Sequence, residues 1–153
     1  MHPQVLLLNG PNLNRLGQRE PHIYGTTTLS DVENRVRAIV ERHGLHLVSK
    51  QSNHEGDLVD ILQEEAPDSV GAIINPGALA HYGYALRDAV VDAAIPVIEV
   101  HISNVHKREP FRHHLVLADV VVGQIVGLGI QGYLLAAEFL CAEWSRKSAS
   151  KSF

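Results

Sequence analysis

The chain has 153 residues, room for one domain with a sizeable core and too few for two ordinary ones. Hydrophobic residues make up 45 %, beside 12 glycines and 7 prolines, which excludes a wholly disordered or collagen-like chain. A net charge of -4, with 17 acidic and 13 basic side chains and ten neutral histidines, supplies no basic field for nucleic acid or an anionic membrane. A few local arginines can still hold an anionic metabolite.

Val5 to Leu8 is a continuous apolar run stopped by Asn9-Gly10-Pro11, the pattern of a buried strand ended by a turn. At four residues, it is too short for a signal-peptide core or a membrane span. The polar segment that follows, NGPNLNRLGQREPHIYG and on through Thr27, reads as an unusually long loop between strand and helix. From Thr28 a helix is expected, because Thr28 and Asp31 have capping-box spacing and Leu29, Val32, Val36, Ile39 and Val40 form one apolar stripe ended by Gly44. Leu45 to Gln51 gives a second strand, and SNHEGD leads into a short helix carrying Leu58, Ile61 and Leu62. Val70 to Ile74 gives a third strand, NPGALAHYG a loop, and Tyr84 to Ala93 a helix closed by Pro96. Val97 to Val100 is the fourth strand and ends at His101. A loop or helical turn, HISNVHKREPFRHH, precedes a fifth strand from Val120 to Val126 and a last helix from Ile130 to about Arg146. Residues 1–146 therefore read as a single α/β domain and the small polar residues 147–153 as a flexible tail.

Five short apolar strands alternating with helices suit a parallel sheet buried on both faces, and right-handed crossovers make this a three-layer sandwich. Strand order cannot be read from the pattern. Parallel strands all end on one edge, so Asn12, Asn75 and His101, each just after a strand, are expected to converge there.

Those strand ends carry usable chemistry. Tyr24 follows Arg19 by five residues; a neighbouring guanidinium favours a phenolate that serves as a base, while the plainer alternative is a ring packed on its loop and an arginine in solvent. Glu99 and His101, two apart along a strand, can face the same side, so that the carboxylate orients the imidazole as a general acid; ordinary strand-end hydrogen bonding accounts for the pair equally well. The amides of Ile102 and Ser103, with the Ser103 hydroxyl, offer a seat for a substrate carboxylate. Arg108 and Arg112 follow at helical spacing, as substrate contacts or as surface ion pairs.

Other chemistries are thinly supplied. His101, His106, His113, His114 and Glu99 crowd one region, but without the spacing of a metal site, so no metal is expected. GLGIQG, Gly127 to Gly132, has the glycine pattern of a dinucleotide fingerprint, yet no later strand follows to place an acidic residue against a ribose. It reads as a tight turn and a close approach of the last helix to the sheet. Cys141 is alone, which rules out an intramolecular disulfide and makes a reducing cytoplasm the expected compartment.

Taken together, LLLNGPNLNRLGQREPHIYG, QSNHEGDLVD, INPGALAHYGYALRDA, VIEVHISNVHKREPFRHH and VGLGIQGYLL closely resemble the type II 3-dehydroquinate dehydratases, the type II dehydroquinases, from Val5 to about Leu140. The resemblance implies a flavodoxin-like fold and reversible dehydration of 3-dehydroquinate to 3-dehydroshikimate by anti elimination through an enolate, without metal or organic cofactor. It also implies a dodecamer built from trimers, serving aromatic biosynthesis or quinate breakdown.

Residue by residue, it makes Tyr24 the base and Arg19 the arginine that favours its phenolate, both on a lid with Arg108. Asn12 helps hold a water at the enolate oxygen, His101 is the acid and Glu99 its orienting carboxylate. Asn75, Ile102 and Ser103 match substrate positions, and His81 and Arg112 match contacts to ring hydroxyls. Asp88 reaches the site from a neighbouring subunit. Two places depart from the family pattern: Leu115-Val116 stands where Ser-Tyr is usual, and Tyr82-Gly83 where Thr-Ser is common.

Overall fold

The computed structural model describes residues 2–150, the Tyr24 side chain excepted. Five strands, β1 (Gln4–Asn9), β2 (His46–Gln51), β3 (Ser69–Asn75), β4 (Val97–His101) and β5 (Gly123–Val126), form one parallel sheet in the order β2-β1-β3-β4-β5. The helices are α1 (Pro21–Tyr24), α2 (Leu29–Arg42), α3 (Glu55–Glu65), α4 (Tyr84–Ala93) and α5 (Gln131–Ser150).

Alternation along each strand sends side chains to two apolar layers. Val5, Leu7, Ile73, Ile98 and Val100 pack with α2 and α5, whereas Leu6, Leu8, Ala72, Ile74 and Val97 pack with α3 and α4. The central strands are buried on both sides, which is why they read as unbroken apolar runs. Each wholly buried leucine contributes about 1.5–3 kcal/mol relative to exposure.

The α2 start matches its sequence signal, with Thr28 Oγ1 accepting from the Asp31 N–H at 3.1 Å and the Asp31 carboxylate accepting from the Thr28 N–H at 3.0 Å. Those bonds favour the charged carboxylate and hold the Asp31 pKa below its ordinary value.

Besides one-residue shifts at strand and helix ends, three stretches differ from the sequence expectation. The loop after β1 contains a 3-10 turn, Leu13–Arg15, and the single helical turn α1, which begins with Pro21 where a missing N–H costs nothing. β5 starts only at Gly123, because Val120 and Val121 close turns onto the Leu117 carbonyl. α5 runs past Arg146 to Ser150, so residues 147–150 are helical, while 151–153 of the expected tail lie outside the described residues.

The GLGIQG segment is a turn followed by a tight helix approach. Gly127 has φ +87°, and a Cβ on Gly132 would lie 3.1 Å from Val100 Cγ1 and 3.2 Å from Ile125 Cγ2. A Cβ there would require those side chains to give by a few tenths of an ångström.

Candidate active site

In the strand order 2-1-3-4-5, the direction in which successive strands are added reverses between β1 and β3, and a crevice opens beyond their carboxyl ends. Three loops line it. Pro11, Asn12, Leu13, Leu16 and Arg19 come from beyond β1; Asn75, Gly77, Ala78 and His81 from the end of β3; His101, Ile102, Ser103, Val105, Arg108 and Arg112 from the end of β4. The cleft encloses about 680 Å³ of empty space, part of it open to solvent.

The first two loops interlock through their backbones. The Gly10 N–H donates to the Asn75 carbonyl at 2.8 Å. Gly77 has φ +60°, and a Cβ on it would sit 2.8 Å from the Pro11 carbonyl oxygen, so only glycine fits both the conformation and the space. Asn12 takes the left-handed conformation at φ 71°, which asparagine tolerates, and its N–H donates to Asn53 Oδ1 at 3.0 Å. Gln51 Nε2 donates both to that Asn53 oxygen, at 3.0 Å, and to the Gly10 carbonyl, at 3.1 Å.

Asn75 is held by a buried chain whose polarity can be followed from one backbone donor. The Gly77 N–H can only donate, so the Asn75 atom facing it at 3.1 Å is Oδ1. Asn75 Nδ2 therefore faces the Tyr133 hydroxyl and donates to it at 2.8 Å, and that hydroxyl donates onward to Asn9 Oδ1 at 2.7 Å. Tyr133 is wholly buried, and burial raises its pKa, which keeps the phenol neutral. Asn9 Nδ2 is the one buried side-chain polar atom among the described residues without a protein partner.

Glu99 and His101 lie on the same face of β4, and His101 Nε2 meets Glu99 Oε2 at 2.7 Å. Both are buried, Glu99 completely. A carboxylate oxygen accepts here, so Nε2 carries the proton and Nδ1 is the ring nitrogen left for a ligand.

His81 Nδ1 meets the His114 carbonyl at 2.9 Å, which makes Nδ1 the donor and leaves Nε2. Partial burial lowers the His81 pKa; the bond to the His114 carbonyl opposes that shift, and the nearby His101 and Arg112 add to it. Arg112 is aimed by Nε donation to Glu109 at 2.5 Å and by stacking over Phe111, 4.7 Å from the ring centroid. Arg108 Nη1 donates to Ser103 Oγ at 3.3 Å, tying a cationic loop residue to the base of the cleft.

Most of the residues singled out in the sequence thus share one cleft: Asn12, Arg19, Asn75, His81, His101, Ile102, Ser103, Arg108 and Arg112 line it. Glu99 stands behind His101. Tyr24 closes α1 in the first loop, and its side chain lies outside the described residues. Asp88 is not in the cleft; it is exposed on the outer face of α4. Leu115 and Val116 are buried and do not line the cleft; Leu115 sits in a small cluster with Ala80 and Val105 beneath the His81 turn. Tyr82 is 59 % exposed and does not line the cleft.

Asn9, Asn53, Gln51 and Tyr133 were not legible as site-building residues. A tyrosine on a helix reads as core, and its hydroxyl partner is 124 residues away in sequence.

Fold and cleft together define a flavodoxin-like α/β protein with a polar cleft at the switch point of its sheet. The profile of the family described as dehydroquinase class II matches residues 3–141, and the chain belongs to that family. Its relatives include a 3-dehydroquinate dehydratase of Bacillus pumilus, 57 % identical over 141 residues, covering 92 % of this chain and 96 % of the relative. A catabolic 3-dehydroquinase of Penicillium rubens is 53 % identical over 147 residues, covering 96 % of this chain and 95 % of its own. The crystal structure of the type II dehydroquinase from Propionibacterium acnes superposes with a TM-score of 0.87 at 46 % identity, covering 93 % of this chain and 98 % of that one.

Proposed function

We propose that this protein catalyses the reversible dehydration of 3-dehydroquinate to 3-dehydroshikimate, a hydro-lyase reaction proceeding by anti elimination through an enolate. The observation that carries the reading is the buried Glu99–His101 pair opening onto a cleft with Asn12 and Asn75, within a chain of the class II dehydroquinase family.

A β-hydroxy ketone loses water readily once the proton between the two groups is removed, so the site needs a base on one face of the ring and an acid on the other. Tyr24 is assigned the base. Arg19, from the same loop, favours its phenolate by the attraction of a nearby cation. As charge builds on the ketone oxygen, Asn12 and a water it holds supply fixed dipoles for the enolate. His101 delivers a proton to the departing hydroxyl, and Glu99 steadies the imidazolium that carries it.

Ile102 and Ser103 seat the substrate carboxylate through backbone amides and a hydroxyl. His81 and Arg112 hold the ring hydroxyls, and Asn75 is a further substrate contact. Arg19, Tyr24 and Arg108 belong to a lid whose closure excludes bulk water from both proton transfers. No metal or organic cofactor enters these steps.

Asp88 is assigned to a neighbouring subunit's cleft, in trimers that assemble into a dodecamer, and the compartment is the cytoplasm. No helix among the described residues is long and apolar enough to cross a membrane.

Adding 3-dehydroquinate to metal-free protein and following ultraviolet absorbance should reveal the conjugated enone of the product. A folded protein that generates none would reject the assignment.

A further inference from the structure

Gln124 has no part in the site described so far. It lies on the edge strand β5 directly opposite Glu99 in the parallel register, and its side-chain Nε2 donates to Glu99 Oε1 at 2.7 Å. The other oxygen of that carboxylate holds His101 Nε2 at the same distance. Glu99 is 0 % exposed and His101 5 %, whereas Gln124 is exposed.

We infer that Gln124 is a positioning residue for the acid pair, acting on His101 through Glu99; this rests on the reading of His101 as the acid. A buried carboxylate needs a donor on each oxygen. One donor alone leaves it free to turn about its terminal torsion, which is broad and weakly restrained. Two donors on opposite oxygens fix its plane, and so fix the direction from which the imidazole is held. Polarity dictates the orientation of the Gln124 amide, since its oxygen and a carboxylate oxygen would repel. Being neutral, the amide restrains Glu99 without cancelling the negative charge that steadies the imidazolium.

An exposed residue on an edge strand ordinarily tolerates substitution with little effect. Gln124→Met keeps length and removes the donor, Gln124→Glu keeps shape and removes the donor, and Gln124→Lys restores one. Loss of a hydrogen bond to a buried charge is expected to lower kcat about tenfold or more in the first two variants, with KM within about twofold and Tm near that of the parent. Gln124→Lys should recover part of the lost kcat. Wild-type kcat in Gln124→Met and Gln124→Glu would overturn the inference. So would a fall in kcat accompanied by a raised KM and a lowered Tm, the signature of general damage. If wild-type protein turns over and His101→Ala does not, either result rejects only the role of Gln124. A wild type without turnover would instead overturn the parent reading, and this one with it.

Discussion

At His101 the decisive feature is a bond to a carboxylate with no exposure at all, which sets the tautomer and leaves Nδ1 for chemistry. His101→Ala and Tyr24→Phe should each lower single-turnover rates about 10²- to 10⁴-fold, the usual contribution of a positioned acid or base, with circular dichroism unchanged. Near-normal rates in both would reject the assigned roles. His81 makes a prediction about stability. Its pKa is lowered from 6.5, so its contribution to stability is fully present above 6.5 and is lost as pH falls through the folded value, because the unfolded chain takes up the proton first. His81→Gln should therefore flatten the fall in denaturation midpoint below pH 6.5; an unchanged slope would show that His81 does not bear on acid stability. The Glu99–His101 pairing was legible because two residues along a strand face one side. Gln124 was not, since its meeting with Glu99 depends on the β4–β5 register, and no local pattern encodes a register between strands 25 residues apart.

Among the elements, α2 was read from its capping residues, and the structure places both reciprocal bonds there. Thr28→Ala should cost about 1 kcal/mol, measured by denaturant unfolding. The loops after β1 and β3 were harder. The length of the first suggested function, but the α1 turn is too short to show a period, and the backbone contacts between Gly10, Pro11, Asn75 and Gly77 leave no apolar signal. Gly77→Ala combines a positive φ with a clash against the Pro11 carbonyl, and is expected to cost about 1–3 kcal/mol and to disturb the cleft floor. Tyr133→Phe tests the buried chain from the other side. It strands the Asn75 N–H and the Asn9 carbonyl at a cost of about 1–3 kcal/mol each, and frees the Asn75 amide to turn, so stability should fall and KM should rise together. Wild-type values for both would mean that buried water replaces the hydroxyl.

At the scale of the molecule, the parallel sheet and the meeting of Asn12, Asn75 and His101 at one edge followed from apolar runs and the geometry of parallel strands, while strand order could not be read, because an apolar run does not encode which strand it pairs with. One assigned residue is explained only beyond the single chain. Asp88 lies on an α4 stripe with Tyr84, 62 % exposed, and Val91, 58 % exposed, at spacings of four and three residues that set them on one face. A carboxylate between two exposed apolar side chains, facing away from its own cleft, suits contact with a second copy of the chain. Asp88→Ala and His101→Ala should each be nearly inactive alone, provided the assembly survives by light scattering. Mixed after dissociation and reassembled, they should regain activity, because some clefts would then combine an intact His101 with an intact Asp88 from the neighbour. If Asp88 served its own cleft, every site in the mixture would lack one residue or the other, and no activity would return.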